Sequence, residues 1–250
     1  MSQPDTIVWI SGATQGLGQG LAATVPYQRA HVINLSRRDH PEYETVRIDL
    51  RRPESWAAAE ESFRRELRDF KGKRAIFIHN AYYQGQFAFV GGEEMDPAIY
   101  YDEAIANGIA PQMLGDMFLR VVQPGYESGL VMITSAGARV PFEGNASYCA
   151  AKAAVEMWVR TVRTELKRRG RTDIWAMAIR PGFVDTPSVH NSLKADIESY
   201  PLRPQIAKQL ESRQGIMTPI EAAEGIWSMI PPKEDKSVWL QGELVVIEKP

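Results

Sequence analysis

The sequence predicts a doubly wound α/β fold, in which a parallel sheet is covered by helices on both faces. Three observations carry that expectation. Short β-branched runs recur along the 250 residues, helix-like segments alternate with them, and a glycine-rich turn follows the first run. The runs are Thr6 to Ile10, His31 to Leu35, Thr45 to Ile48, Arg74 to Ile78, Leu130 to Thr134, Ile174 to Ile179 and Leu244 to Ile247, which predicts about seven strands. Between them, Pro53 to Phe70, Tyr101 to Val122, Ser147 to Arg169 and Pro219 to Met229 read as helices, with Pro53 and Pro219 suited to first turns. Strand and helix in alternation need right-handed crossovers, and these place helices on both sides of the sheet.

With 44% apolar residues, the chain can bury one substantial core, and a single domain over residues 1–250 is expected. Its 29 basic and 31 acidic residues leave a formal charge of −2, so no global attraction to nucleic acid or to an anionic membrane follows. The basic run Arg163 to Arg171 falls at a helix end, where cations complement the helix dipole. The single cysteine, Cys149, has no internal partner. The first ten residues lack a basic segment followed by a long apolar one, and no apolar run nears the roughly 20 residues that span a bilayer. A cytoplasmic, membrane-free protein with a small-molecule partner is therefore expected. The four histidines have no metal-ligand spacing, and no metal site is expected.

Ligands of such a sheet bind beyond the carboxyl ends of its strands. After the first strand comes Ser11-Gly12-Ala13-Thr14-Gln15-Gly16-Leu17-Gly18, with a helix starting near Gly16. Glycines permit the tight turn and a close approach of phosphate, and free N–H groups at a helix start favour an anion. The spacing, Gly-x-x-x-Gly-x-Gly rather than Gly-x-Gly-x-x-Gly, reads as the turn of a Rossmann-type dinucleotide site, with an ordinary strand-to-helix turn as the alternative. The second strand ends in Ser36-Arg37-Arg38, where an arginine suits the 2′-phosphate of NADP(H) and a carboxylate would suit NAD. A solvated loop with two surface arginines is the alternative. Asp49-Leu50 after the third strand and Asn80-Ala81 after the fourth are candidate adenosine contacts, or simply turn residues.

Tyr148 and Lys152 stand four apart on a predicted helix, hence on one face. A free phenol ionises near pH 10, and a neighbouring cation favours its anion. Reducing a carbonyl builds charge on oxygen, so a proton donor and a second hydrogen-bond donor should converge there. Ser135, directly after the fifth strand, is the second donor.

With these residues on the page, together with Asn107 and the Pro181-Gly182-Phe183-Val184-Asp185-Thr186 segment, the chain resembles the short-chain dehydrogenase/reductase family along nearly its whole length. The resemblance implies that Asn107 holds a water behind Lys152, and that Pro181, Gly182, Val184 and Thr186 contact the nicotinamide end. Ser36-Arg37-Arg38, Ala110-Pro111 and Ser147-Tyr148-Cys149 look most like the benzil reductase and sepiapterin reductase branch, implying NADPH-dependent reduction of ketones or α-diketones. It also implies a homodimer or homotetramer built on the two long helices. His79 and Tyr82 depart from the family, which commonly has asparagine and glycine there. Six aromatics, Tyr82, Tyr83, Phe87, Phe89, Phe142 and Phe183, suggest an apolar or aromatic carbonyl or alcohol substrate. The stretch from 185 to 218 reads as a mobile flap. An NAD-dependent alcohol dehydrogenase and a non-catalytic NADP-binding regulator are the competing readings.

Overall fold

The computed structural model describes residues 4–230, 236–240 and 243–247. In chain order its elements are β1 (Thr6–Ser11), α1 (Gly16–Ala23), β2 (Ala30–Ser36), β3 (Glu44–Arg47), α2 (Ala57–Leu67), β4 (Arg74–His79), α3 (Pro97–Ala104), α4 (Ala110–Val121), β5 (Glu127–Ile133), α5 (Ala146–Arg168), β6 (Ile174–Ile179), α6 (Pro187–Ser192), α7 (Arg203–Ser212), α8 (Pro219–Met229), β7 (Lys236–Leu240) and β8 (Glu243–Ile247). Strands β1 to β6 pair in parallel in the order β3-β2-β1-β4-β5-β6. The order reverses between β1 and β4, and a crevice opens at such a switch point.

The two faces of the sheet follow from the period-2 alternation of strand side chains. Ile7 and Trp9 of β1, Ala75 and Phe77 of β4, and Leu130 and Met132 of β5 enter one core, with Phe63 of α2, Phe118 of α4 and Val155 of α5. Their intervening neighbours Val8, Ile10, Ile76, Ile78, Val131 and Ile133 enter the other, with Leu21 of α1 and Ile226 of α8. The first core is the aromatic one: Trp9 meets Phe63 edge-on at 5.2 Å, and its indole N–H donates to Ser62 at 3.1 Å. In the second, α1 and α8 approach so closely that a Cβ on Gly20 would lie 2.3 Å from the Pro219 carbonyl.

The predicted doubly wound class is the observed one, with differences in detail. The seventh run, Leu244 to Ile247, is a strand, but β8 pairs antiparallel with β7 in a separate two-stranded sheet. A two-residue connection ending in Gly242 is the hairpin signal for that pairing. The predicted helix Tyr101 to Val122 starts earlier, at Pro97, where Asp96 accepts from the Ala98 N–H at 2.8 Å. It is also interrupted by a π-helical turn, Ile105–Ile109. The reason lies in Pro111, which has no N–H to give to the Asn107 carbonyl four residues back. Pro53 opens a short 3₁₀ turn rather than a continuous helix. Pro219 begins α8 as expected, behind a capping box made by Thr218 and Glu221.

The stretch from 185 to 218 contains α6 and α7, and its ends are stitched together. The Asp185 N–H donates to the Met217 carbonyl at 2.9 Å and the Met217 N–H to the Phe183 carbonyl at 3.0 Å. No helix among the described residues is long and apolar enough to cross a membrane.

Candidate active site

At the switch point the chain turns from β1 into α1 through backbone that only glycine adopts easily, with φ of +73° at Gly12 and +54° at Gly16. A Cβ on Gly18 would lie 2.1 Å from the Gly12 carbonyl oxygen, so the loop can fold back on the helix only because Gly18 has no side chain. Gln15, at the N-cap, makes no side-chain cap, which leaves the first N–H groups of α1 open to an anion. Two residues that the sequence reading passed over hold this loop. The Asn34 side chain, fully buried, accepts from the Ala13 N–H at 3.1 Å and donates to the Arg38 carbonyl and Thr45 Oγ1, both at 3.0 Å. Ser11 Oγ accepts from the N–H groups of Asn80 (2.9 Å) and Ala81 (3.0 Å). Their signal was an amide and a hydroxyl set in otherwise apolar strands.

Around the loop is a cavity of about 190 Å³, walled by Gly12, Arg37, Arg38, Asp49 and Ala81 among others. Arg38 donates to Thr14 Oγ1 (3.1 Å) and Gln15 Oε1 (2.8 Å), both neutral partners. Asp49 is held chiefly by Arg51, at 2.9 Å, with Arg37 at 4.0 Å. Burial works against the charge on Asp49, but the hydrogen bonds and charge of Arg51 keep its carboxyl below the usual range.

Next to it lies a cavity of about 380 Å³ whose wall includes Ser135, Tyr148 and Lys152. Leu17, Asn80, Tyr82, Thr186 and Ser188 border both spaces. Ser135 caps a short turn after β5, accepting from the Gly137 N–H at 3.2 Å, and so its hydroxyl proton can still be donated. Burial raises the Tyr148 phenol above its ordinary value, against the opposing hydrogen bond of Ser135. One turn along α5, the buried Lys152 ammonium donates to the Ile133 carbonyl at 3.0 Å and lies 5.7 Å from the Tyr148 ring centre. Burial pulls its pKa down to about 8.

The Tyr82 ring packs edge-on against Tyr148 at 5.8 Å. Behind this layer the π-helical turn presents Asn107, which accepts from the Tyr83 N–H and donates to the Tyr83 carbonyl, each at 2.8 Å. Glu156, one turn beyond Lys152, joins the two strand ends that carry the site. It takes hydrogen bonds from Thr134 (3.0 Å) before Ser135, from Arg180 (2.8 Å) before Pro181, and from Arg139 (3.3 Å).

Of the predicted site residues, only Gly18 and Asn107 line neither cavity; both stand behind residues that do. Ser36, Leu50, Thr14, Gln15 and Gly16 wall the smaller space, and Pro181, Gly182 and Val184 the larger, with Thr186 shared. Among the six predicted aromatics, Tyr82, Phe87, Phe142 and Phe183 line the larger cavity and Tyr83 the smaller. Phe89 is exposed and lines neither. Tyr200, from the segment before α7, lines the larger cavity and stacks on Phe87 at 4.1 Å; no motif announced it. The structure also gathers His31, Glu44 and Glu66, but Arg65 bonds both carboxylates.

The model of the short chain dehydrogenase family matches residues 6–196. The chain belongs to that family. As a short-chain dehydrogenase it is an oxidoreductase working between an alcohol and a carbonyl with a nicotinamide dinucleotide. The glycine turn fits the dinucleotide, since a side chain at Gly12 would press on Ala81 and one at Gly18 on the Gly12 carbonyl, and either would force open the turn that leads to the uncapped start of α1. The dehydrogenase is 24% identical over 258 residues to a Bacillus cereus benzil reductase ((S)-benzoin forming), covering 97% of this chain and 99% of that one. To the Bacillus subtilis (strain 168) benzil reductase it is 28% identical over 185 residues, or 71% and 74% of the two chains. Its fold is similar to that of ligand-free Thermoplasma acidophilum aldohexose dehydrogenase, with a TM-score of 0.74 at 19% identity over 91% of this chain and 87% of that one.

Proposed function

We propose that this dehydrogenase reduces the carbonyl group of small ketones and α-diketones with NADPH, Tyr148 giving the proton. The observation that carries the reading is the meeting of Ser135, Tyr148 and Lys152 at one cavity, with the phenol desolvated. A phenol whose pKa is raised keeps its proton at neutral pH, which suits a donor to a carbonyl oxygen gaining charge. Ser135 gives that oxygen its second hydrogen bond. Lys152, with its pKa lowered to about 8, still carries its charge at neutral pH and supplies positive charge beside the phenolate left after the transfer. Asn107, through its clamp on Tyr83, fixes the loop that carries Tyr82. A nicotinamide dinucleotide, when bound, would supply the hydride, the one reagent the side chains lack.

The preference for NADP(H) is supported by the smaller cavity. There Arg37, Arg38 and Arg51 line the space beside one lining carboxylate, Asp49; Arg51 is also paired with Asp102 at 3.4 Å, whereas Arg38 gives its hydrogen bonds to neutral groups. A 2′-phosphate would complete that charge balance. Pro181, Gly182, Val184 and Thr186, which line the larger cavity, would border the nicotinamide end. The segment from 185 to 218 would be the flap that covers the substrate. Ile109, Met113 and Met157, all exposed, offer an apolar face on the two long helices for a dimer or tetramer, which a mass measurement in solution checks. The reading is tested by NADPH oxidation on a diketone panel: turnover that persists in Tyr148→Phe at the wild-type rate overturns it.

A further inference from the structure

The catalytic cavity has one acidic wall group that the reaction above does not use. Glu103, near the end of α3, is 4% exposed and lines the same cavity as Tyr148. Its Oε2 accepts from the hydroxyl of Ser147, the residue before Tyr148, and the Gly85 N–H donates to the same carboxylate. Among the described residues no lysine, arginine or histidine pairs with it. The adjacent acid on the same helix, Asp102, has Arg51 at 3.4 Å. The chain also makes room for Glu103, since a Cβ on Gly85 would lie 2.6 Å from its carboxyl carbon.

A buried carboxylate is costly unless it is paired, and a carboxylate has about four acceptor sites, of which two are used here. A group kept in that condition on the wall of a substrate space gains most from a cation that arrives with the substrate. We propose that Glu103 is a specificity-determining anchor for a protonated amine, so that the preferred substrates are aminoketones. Ser135 and Tyr148 take the carbonyl oxygen, while Glu103 takes the ammonium. Ser147 and Tyr148, being consecutive on α5, tie the two anchors to one helix end. Burial raises the Glu103 carboxyl above the usual range, a cost that an incoming cation offsets.

The inference rests on the ketone-reductase reading, and its test separates the two. Specificity constants with NADPH are measured for phenacylamine, its hydroxyl analogue and plain acetophenone. The wild type is expected to favour the amine over acetophenone by about tenfold, and Glu103→Gln to bring that ratio to about one. Glu103→Asp, which keeps the charge, retains a preference. No preference in the wild type, or the same preference in Glu103→Gln, overturns the anchor. Preference for the hydroxyl analogue over the amine overturns the cationic assignment. If the wild type reduces neither the three nor the diketone panel, the reductase reading fails, and calorimetric titration with benzylamine still decides Glu103. Binding that is lost in Glu103→Gln supports the anchor, and no binding to the wild type refutes it.

Discussion

The two neighbouring cavities solve opposite problems with charge. In the smaller one the charged groups have partners within the chain: Asp49 has Arg51 and Arg37, and Arg38 has Gln15 and Thr14. In the larger, Lys152 and Glu103 are buried and Tyr148 is half-buried, and none of them faces an opposite charge among the described residues. Groups of the first kind recognise a ligand by exchanging weak partners, and so act on affinity. Those of the second kind have their proton equilibria displaced, and act on chemistry and selectivity.

The sharpest way to break that contrast is at the phenol. Tyr148→Phe removes the proton donor without touching the smaller cavity, and kcat is expected to drop by about a thousandfold with NADPH affinity kept, as fluorescence titration and steady-state rates would show. At the other end, the double variant Arg37→Asp, Arg38→Ala should weaken NADPH binding by about a hundredfold and NADH binding far less, read by the ratio of their KM values. An equal loss for both cofactors would remove the assignment of the 2′-phosphate. Lys152 sharpens the comparison through pH. With a pKa depressed to about 8 by burial, its positive charge is present below that pH, and kcat/KM for reduction should fall as pH rises through about 8. Lys152→Arg should carry that break beyond pH 10, although with a lower plateau.

The smallest effect concerns stability. His79 is buried, its Nε2 has no partner among the described residues, and burial together with the charge of Lys152 lowers its pKa from 6.5 to about 3. Between those values the unfolded chain takes up a proton that the folded chain refuses, so stability falls as pH falls below 6.5. From pH 6.5 to 5.5 the loss should be about 1 kcal/mol in urea unfolding, and His79→Asn should abolish it.

Much of this was legible in the sequence, for identifiable reasons. Short β-branched runs marked the six parallel strands because five of them, all but β3, feed both cores and so read as nearly unbroken apolar stretches, and Gly12 and Gly16 marked backbone that other residues resist. Tyr148, Lys152 and Ser135 were found because the chemistry fixes both residue type and place. What stayed hidden depended on contacts distant in sequence. Glu103 looked like any acid on a helix until the loop after β4 and the start of α5 enclosed it. Asn34 looked like an interruption in a strand. Tyr200 reaches the cavity only through the path of 185–218. The π-helical turn was present in Pro111, whose missing N–H was not followed back to Asn107.

Glu156 has a consequence for variation. Its single carboxylate ties Thr134 to Arg180, and thereby the loop of Ser135 to the loop of Pro181. Substitutions in those two loops therefore cannot be chosen independently. A change at Arg139 and one at Arg180 should combine non-additively, each altering what the other costs. A lineage adapting this pocket to a new substrate would then have few mutational orders open to it, with Glu156 determining which substitution has to come first.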